Sequence, residues 1–199
     1  MPDEAVRRIV RRPRVTPERE SELLMVALDA LREVGYGALS MDLIASRGHC
    51  SKNTLYRQWR NKAGMMVAAV SLLRPVASDC IDTGTLRGDL LSRLQQLVAG
   101  PDQDTMVIAA LHHALLTDAD LAEAFRTSLL EPEEEGLKRV IERAVTRGEL
   151  SSRPAATRFL PHLMLSAIVA RPLFEGVTAD TDYLVRFVDD VLLPALQHS

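Results

Sequence analysis

Residues 51–62, SKNTLYRQWRNK, decide the fold prediction for this chain. They include four cationic side chains, two large aromatic ones and no acidic one. Ser51 is a good N-cap, and the residues after it favour a helix over about 52–59. The preceding residues 40–50, SMDLIASRGHC, predict a short helix capped by Ser40 and then a turn. Two short helices joined in this way predict a helix-turn-helix, whose second helix lies in the major groove of DNA.

The polar side chains of the predicted helix 52–59 suit contact with DNA. Asparagine can pair with adenine, arginine can pair with guanine, and a threonine methyl group can touch the methyl group of thymine. Leu55 and Trp59 face the other way and anchor the helix. Free N–H groups at the starts of the neighbouring helices favour a phosphate. We therefore predict DNA contacts from Ser40, Met41, Ser51, Lys52, Asn53, Thr54, Tyr56, Arg57 and Lys62.

Residues 40–65, SMDLIASRGHCSKNTLYRQWRNKAGM, resemble the helix-turn-helix of TetR-family transcriptional repressors. The family pattern combines Thr or Ser, Ile-Ala, Gly-Val-Ser, an apolar residue followed by Tyr, an aromatic residue and Lys. Segments further along, such as DTGTLRGDLLSRL and VIERAVTRGEL, resemble one branch of the family's regulatory domains. Eight positions keep the pattern's spacing over 23 residues: Ser40, Ile44, Ala45, Ser51, Leu55, Tyr56, Trp59 and Lys62.

Two positions in the turn depart from the family pattern. His49 stands where the family has a glycine, and Cys50 stands where it has a buried valine. Histidine tolerates a left-handed backbone better than most residues, so we expect the turn to form with some strain. Cysteine is a small hydrophobe that can fill a valine site. A redox-sensing role for the Cys50 thiol is the alternative interpretation.

Helical periodicity in the remaining sequence predicts an all-α fold of about nine helices. Thr16 caps a first helix over 16–34, Gly35 ends it, and Asn61 caps a fourth helix that runs toward Asp79. Further helical patterns occur at 86–99, 103–117, 119–147, 155–175 and 180–197. Kinks or breaks are expected at Pro75, Pro132, Pro161, Pro172 and Pro194.

These patterns divide the chain into three predicted parts. Residues 1–15 form a flexible Arg-rich arm, residues 16–62 a three-helix DNA-binding head, and residues 63–199 a larger helical body for ligand binding and dimerisation. The arm could follow the DNA backbone or enter a minor groove, or it could be a solvated tail.

Charge is distributed unevenly between head and body. The 199 residues carry a formal net charge of −3. Residues 1–62 hold 12 Lys/Arg and 8 Asp/Glu, whereas residues 63–199 hold 12 and 19. No acidic residue occurs over 43–78. The basic end is therefore the part that suits a polyanion such as DNA.

The sequence argues against several other classes of protein. Its two cysteines form no CxxC pair and have no histidines clustered around them, so we expect no disulfide scaffold, metal site or cofactor. The run VRRIVRRPR is charged where a signal peptide is apolar, and no apolar run reaches the ~18 residues of a membrane span. We expect a cytoplasmic protein. The sequence contains no nucleophile elbow, phosphate loop or HExxH motif, so we do not expect an enzyme.

The TetR-family resemblance also implies a homodimer. In that family the last two helices, here within 155–197, pack against their mates as a four-helix bundle. A two-fold pair of heads would read a DNA palindrome with half-sites about one helical turn apart. The candidate apolar surface comprises Phe159, Leu163, Ile168, Tyr183, Leu184, Phe187, Val188, Val191 and Leu192.

The same resemblance implies a cavity for a small-molecule effector among helices four to eight. Candidates for its lining are Met106, His112, His113, Phe125, Met164 and Arg171, and we predict contacts from Met106, His113, Phe125 and Met164. Met and Phe could equally belong to the core, and His to the surface. Adjacent histidines on a helix point about 100° apart, which argues against a shared metal ion.

The expected function is that of a repressor that its effector releases from a palindromic operator. Two alternatives stay open at this point. One is an architectural or weakly specific DNA-binding protein without an effector, and the other is an enzyme or interaction module that carries a basic head.

Overall fold

The structure is a computed structural model that describes residues 15–73, 81–98 and 103–198, with the backbone alone at 103–106 and 108–110. The Arg-rich arm up to residue 14, Pro75 and Cys80 lie outside the described residues. No helix in the described ranges is long and apolar enough to cross a membrane.

The described residues fold into helices and no strands, as predicted. Counting α7–α8 and α10–α11 as one helix each gives nine helices in these ranges, which matches the predicted number. The α-helices are α1 (Pro17–Ala38), α2 (Met41–Arg47), α3 (Lys52–Trp59), α4 (Lys62–Leu73), α5 (Leu86–Val98), α6 (Gln103–Thr117), α7 (Ala119–Phe125), α8 (Glu131–Thr146), α9 (Leu160–Glu175), α10 (Thr181–Phe187) and α11 (Leu193–Gln197).

Side-chain caps fix the starts of the first four helices, as predicted. Thr16, Ser40, Ser51 and Asn61 each accept a hydrogen bond from a backbone N–H in the first turn of the helix that follows, at 2.7–3.3 Å. Each cap of this kind stabilises a helix by about 1 kcal/mol. Because the caps act over three residues, the local sequence alone sets where these helices begin.

Helix α1 continues four residues past its predicted end but breaks where the break was predicted. Gly35 has φ 71° and ψ 165°, a non-helical conformation that costs glycine little. One further turn follows, and the Leu39 N–H donates to the Gly35 carbonyl at 3.1 Å. Tyr36 lies in this turn and is buried.

The body's long helices contain a wider turn just before a proline. α7 runs into α8 through a π-turn at Arg126–Leu130, and α10 runs into α11 through a π-turn at Val188–Leu192. Pro132 and Pro194 follow these turns, so the irregularities predicted at these two prolines occur as π-turns, whereas α9 continues past Pro172 to Glu175. We attribute them to the proline rings, which lack an N–H and collide with the carbonyl four residues back. Pro161 instead lies in the first turn of α9, where proline is well tolerated.

The described residues form two apolar cores, which we call the upper core and the lower core. The upper core contains buried residues of α1–α4 together with one side of α6 and α7. The lower core contains buried residues of α5, α8, α9, α10 and α11. Met65, Met66 and Val70 of α4 belong to the upper core, so the helix after the predicted boundary at residue 62 packs with the head.

A buried polar cluster fixes the loop before α5 against α8. The carboxylate of Asp89 is fully buried and accepts hydrogen bonds from Thr83 N (2.7 Å), Thr83 Oγ1 (2.8 Å), Arg143 Nη2 (3.2 Å) and Arg147 Nη2 (3.1 Å). Burial by itself raises the pKa of Asp89, but these hydrogen bonds outweigh it and the net effect is a lowered pKa. Arg143 in the last turn of α8 and Arg147 just after it therefore join α5 to the C-terminal end of α8.

Candidate DNA-binding surface and ligand cleft

Helix α3 has an outward polar face and an inward apolar one. Lys52, Asn53, Tyr56 and Arg57 are exposed, and the i, i+4 spacing within this set places them on one side of the helix. Leu55 is fully buried in the upper core, and Trp59 is buried there too. The exposed face is polar and basic, as a helix that enters the major groove requires.

Two other predicted DNA contacts are engaged in the cap of α3. Ser51 Oγ and Thr54 Oγ1 lie 2.9 Å apart, and Ser51 Oγ also accepts from the Thr54 N–H. A hydroxyl group has one donor and two acceptor sites, so each can still hydrogen-bond to a phosphate or a base. Ser40 holds the same kind of exposed cap position at the start of α2.

The turn between α2 and α3 is strained but well supported. His49 has φ 45°, as expected for a side chain in the glycine position of the turn. Gly48 packs so closely that a Cβ there would come within 2.6 Å of Leu23 Cδ2. The guanidinium of Arg19 donates to the Gly48 carbonyl and so ties the start of α1 to the turn. These contacts hold the turn against α1 and so help to fix the orientation of α3.

Cys50 is half-buried and packs against the upper core. Burial raises the pKa of its thiol, and the charge of Arg19 offsets this only in part. A raised pKa lowers the thiolate fraction, and the thiolate is the reactive form. The placement favours a packing role over redox sensing.

Three predicted contacts differ in their surroundings from what the sequence suggested. The Met41 side chain is buried in the upper core, so only its backbone can face a phosphate. Lys52 forms an ion pair with Asp42, but both side chains are exposed and such pairs are weak. Lys62 Nζ donates to the Tyr36 carbonyl at 3.0 Å and lies 3.9 Å from the centre of the Tyr36 ring.

Tyr36 also connects the head to the body, which the sequence did not indicate. Its hydroxyl donates to Asp118 Oδ2 at 3.1 Å, while Asp118 Oδ1 accepts from the Leu121 N–H at 3.0 Å and caps α7. Desolvation, followed by the hydrogen bond to Asp118, raises the pKa of Tyr36. The Leu121 N–H bond is the main cause that lowers the pKa of Asp118, and the charge of Lys62 adds to it. We call Lys62, Tyr36 and Asp118 the head–body link.

A partly open apolar cleft of about 440 Å³ lies where α4–α9 meet. This volume is within the range of sites for drug-sized molecules. Among the described residues that line the cleft, four are polar and the others are apolar. The lining consists of Val70, Leu97, His112, Leu115, Phe125, Leu129, Leu130, Glu133, His162, Leu165, Ser166, Val169, Ala170 and Leu173.

The candidate ligand residues are distributed among several environments. Phe125 and His112 line the cleft. His113 is exposed and is not part of the lining, and Met164 is buried in the lower core. The Met106 side chain lies outside the described residues. Periodicity could not separate His112 from His113, or core methionines from lining ones, because the lining depends on how distant helices pack.

Arg171, the remaining candidate, is buried outside the cleft lining. Its Nε donates to Glu175 Oε2 at 3.1 Å, its Nη1 lies 3.2 Å from Asp180 Oδ2, and its guanidinium lies over the Tyr183 ring at 4.2 Å. These contacts fasten the turn between α9 and α10, so its placement indicates a structural role.

Exposed apolar side chains concentrate on α9 and its ends. Leu173 and Phe174 are 82% and 88% exposed, and Phe159 and Leu165 are each about half exposed. Four residues of the predicted dimer surface are instead buried within the chain: Ile168, Leu184, Val188 and Leu192. These four residues are therefore not available to a partner, whereas Leu165, Leu173 and Phe174 of α9 are exposed and were not among the predicted residues.

Two parts of the chain match families of known proteins. Residues 23–69 match the family described as "Bacterial regulatory proteins, tetR family". Residues 80–191 match "Tetracyclin repressor-like, C-terminal domain". The first range contains the helix-turn-helix and the second contains the lining of the cleft from α5 to α9.

Similar proteins extend over nearly the whole chain. A protein of Mycobacteroides abscessus named DNA-binding transcriptional repressor TetR is 35% identical over 181 residues, which cover 88% of this chain and 92% of that one. An uncharacterized HTH-type transcriptional regulator of Mycobacterium tuberculosis is 33% identical over 183 residues, which cover 91% and 89%.

A solved structure shares the fold. NalD, the secondary repressor of the MexAB-OprM multidrug efflux pump in Pseudomonas aeruginosa, matches with a TM-score of 0.66 at 17% identity. The match covers 92% of this chain and 97% of that chain. At this identity the likeness concerns the fold alone.

Proposed function

The chain belongs to the tetR family of bacterial regulatory proteins, which are transcriptional regulators with a helix-turn-helix, and we propose that it is a repressor released from a palindromic operator by a small molecule. The observation that carries the proposal is the outward face of α3, which exposes Asn53, Tyr56 and Arg57 on a firmly anchored helix. The proposed repressor acts in the cytoplasm, where its DNA is, and has no catalytic role.

The proposed contacts fall into two groups. Asn53 and Arg57 read base edges, since amide and guanidinium groups can form paired hydrogen bonds with bases. Tyr56, Lys52 and the caps Ser40, Ser51 and Thr54 bind phosphates and fix the register. Lys62 joins them because an ammonium has three donors, of which the Tyr36 carbonyl takes one. At Met41 the backbone N–H takes part. The Arg-rich arm adds a sequence-independent contact.

The repressor is a homodimer that packs through α9–α11. The support is the apolar surface of α9, because side chains as exposed as Leu173 and Phe174 are rarely left in water as a group. Light scattering on Phe174→Asp should give a monomer. Leu116→Asp, which changes a 74% exposed side chain on α6, should remain a dimer. A dimeric Phe174→Asp protein would refute this interface.

The effector binds in the apolar cleft and shifts an equilibrium between two arrangements of the heads. α4 connects the two regions, since Val70 lines the cleft while Met65 and Met66 lie in the upper core. α7 provides a second connection, with Asp118 at its start and Phe125 at its end. A coupling of roughly 1–3 kcal/mol would weaken operator binding about 5–150-fold.

Selection of bound duplexes from a random pool, at near-physiological salt, tests the operator. We expect an enriched palindrome with half-sites one or more helical turns apart. A folded dimer that enriches no sequence and binds with a steep salt dependence would contradict the proposal. It would favour an architectural DNA-binding protein instead.

A further inference from the structure

The acidic side chain among the described residues of the apolar cleft is already paired with a cation. Among the described residues that line the cleft, Glu133 is the only acidic one. Its Oε2 accepts a hydrogen bond from Arg93 Nη1 at 3.1 Å, and Arg93 is only 2% exposed. The guanidinium of Arg93 rests on Gly136, where a Cβ would come within 2.6 Å of Nη2. Glu133 is therefore held by a fixed, buried cation.

This pairing disfavours a cationic ligand. A lipophilic cation that enters the cleft loses most of its hydration, which is costly unless a counter-charge replaces the water. The carboxylate of Glu133 is a poor counter-charge because Arg93 already neutralises it. The mainly apolar remainder of the lining supplies no further acidic group among the described residues.

Of the other polar groups in the described lining, the two histidines can donate to a hydrogen-bond acceptor on the ligand. Ser166 donates its hydroxyl to the Leu163 carbonyl at 2.8 Å, within its own helix. His112 on α6 and His162 on α9 both line the cleft and are exposed enough to reach a ligand. A neutral imidazole has one N–H donor, and a charged one has two. Either form can donate to a hydroxyl or carboxylate oxygen.

The cleft is also elongated. The lining residues on α9 run from His162 to Leu173, which at 1.5 Å per residue is roughly 16 Å of helix. After Ser166, this face contains only Val169, Ala170 and Leu173. A ligand that lies along α9 would therefore have an apolar body of about two helical turns beyond its polar end.

From this geometry we propose that the effector is an elongated, mainly apolar molecule with a neutral or carboxylate polar end, bound by His112 or His162, and not a lipophilic cation. The inference rests on the proposed function, in which the cleft is the effector site. It adds the chemical class of the ligand.

Three probes that share a ten-carbon chain test the class: decanoate, 1-decanol and decyltrimethylammonium. Their binding to the full chain is measured by calorimetry below micelle-forming concentrations. Decanoate and decanol should bind at least tenfold more tightly than the ammonium compound. Ala170→Phe, which fills the cleft, should weaken the binding of decanoate and decanol at least tenfold, with circular dichroism to show that the protein stays folded.

Histidine variants locate the polar end. His112→Ala combined with His162→Ala should weaken decanoate binding at least fivefold and decanol binding less. His113→Ala is the matched control, because its imidazole is the neighbour of His112 but does not line the cleft, and we expect it to bind all three probes like the unaltered chain. An unchanged decanoate affinity in the double variant would refute the histidine assignment.

The outcomes separate the inference from the function on which it rests. Ammonium binding as tight as decanoate binding would overturn the inference while leaving the cleft as an effector site. Binding of none of the three probes would overturn the inference and also remove the support for the cleft as the effector site. Operator selection, measured without any ligand, would stand in either case.

Discussion

The head and the cleft are built on opposite principles. In the head, short helices are fixed by their own caps, and α3 holds its polar face outward through two buried anchors, Leu55 and Trp59. The described residues that line the cleft come from six helices and a π-turn and are spread over residues 70–173. A preorganised head suits a constant target such as an operator. A cleft between helices that are far apart in sequence suits a ligand whose binding must change how these helices are arranged.

The largest expected effect comes from loosening the head. Leu55→Ala removes a fully buried anchor of α3 and should lower the free energy of unfolding by about 3 kcal/mol. This loss combines the lost burial of apolar surface with the cost of the cavity that remains. Chemical denaturation measures it. Leu130→Ala, at a partly exposed residue of the cleft lining outside the proposed dimer surface, should cost well under that amount. Equal losses would mean that the head is no better packed than the cleft.

The second largest effect should come from the buried polar cluster around Asp89, and this effect on stability should depend on pH. Asp89→Asn should lower the free energy of unfolding by about 2 kcal/mol near neutral pH, since it removes charge-assisted bonds to Arg143 and Arg147. Because folding lowers the pKa of Asp89, this stabilisation is complete above the pKa of an unfolded Asp, about 3.9, and is lost as the pH falls through the folded pKa.

Denaturation of both proteins across the acid range checks this prediction. The two stabilities should converge as the pH falls below the folded pKa of Asp89. A difference that stays constant down to the most acidic pH at which both fold would show that the carboxylate charge is not what holds the cluster.

A substitution in the head–body link should have a small effect on stability but a clear effect on the coupling between the cleft and operator binding. Tyr36→Phe removes the hydroxyl that donates to Asp118 and keeps the ring under Lys62, so stability should fall by only about 1 kcal/mol. The operator affinity of Tyr36→Phe without ligand should change little. Decanoate should weaken the operator binding of this variant less than it weakens that of the unaltered chain. Tyr183→Phe is the control, because its ring contacts Arg171 away from the head. Identical ligand effects in all three proteins would exclude the head–body link as a route of coupling.

The smallest expected change is a gain in stability at the turn. His49→Gly relieves a positive φ but makes the unfolded chain more flexible, so the free energy of unfolding should rise by less than about 1 kcal/mol. Ala38→Gly is the control, because it brings the same unfolded-state flexibility to a helical residue and should destabilise. A destabilised His49→Gly protein would show that the turn is not strained.

The same contrast explains how far the sequence predicted the structure. The caps Ser40 and Ser51, the helix bounds of α2 and α3 and the positive φ of His49 all follow from neighbours within a few residues. The sequence predicts the π-turns only as kinks, because a proline signals an irregularity but not its form. The sequence does not predict that Lys62 donates to the Tyr36 carbonyl or that Met164 lies in the lower core. The positions of these two side chains depend on how helices far apart in sequence pack against each other.

The central claim is that α3 reads bases, and a single measurement tests it directly. Affinities of the unaltered chain and of Arg57→Ala should be determined for the selected operator and for every single base-pair change in it. We predict that Arg57→Ala costs about 1–3 kcal/mol per contacted base and relaxes specificity at one pair of symmetry-related positions, leaving the others unchanged. A uniform loss of affinity across all sequences would assign Arg57 to a phosphate and contradict base reading by this helix.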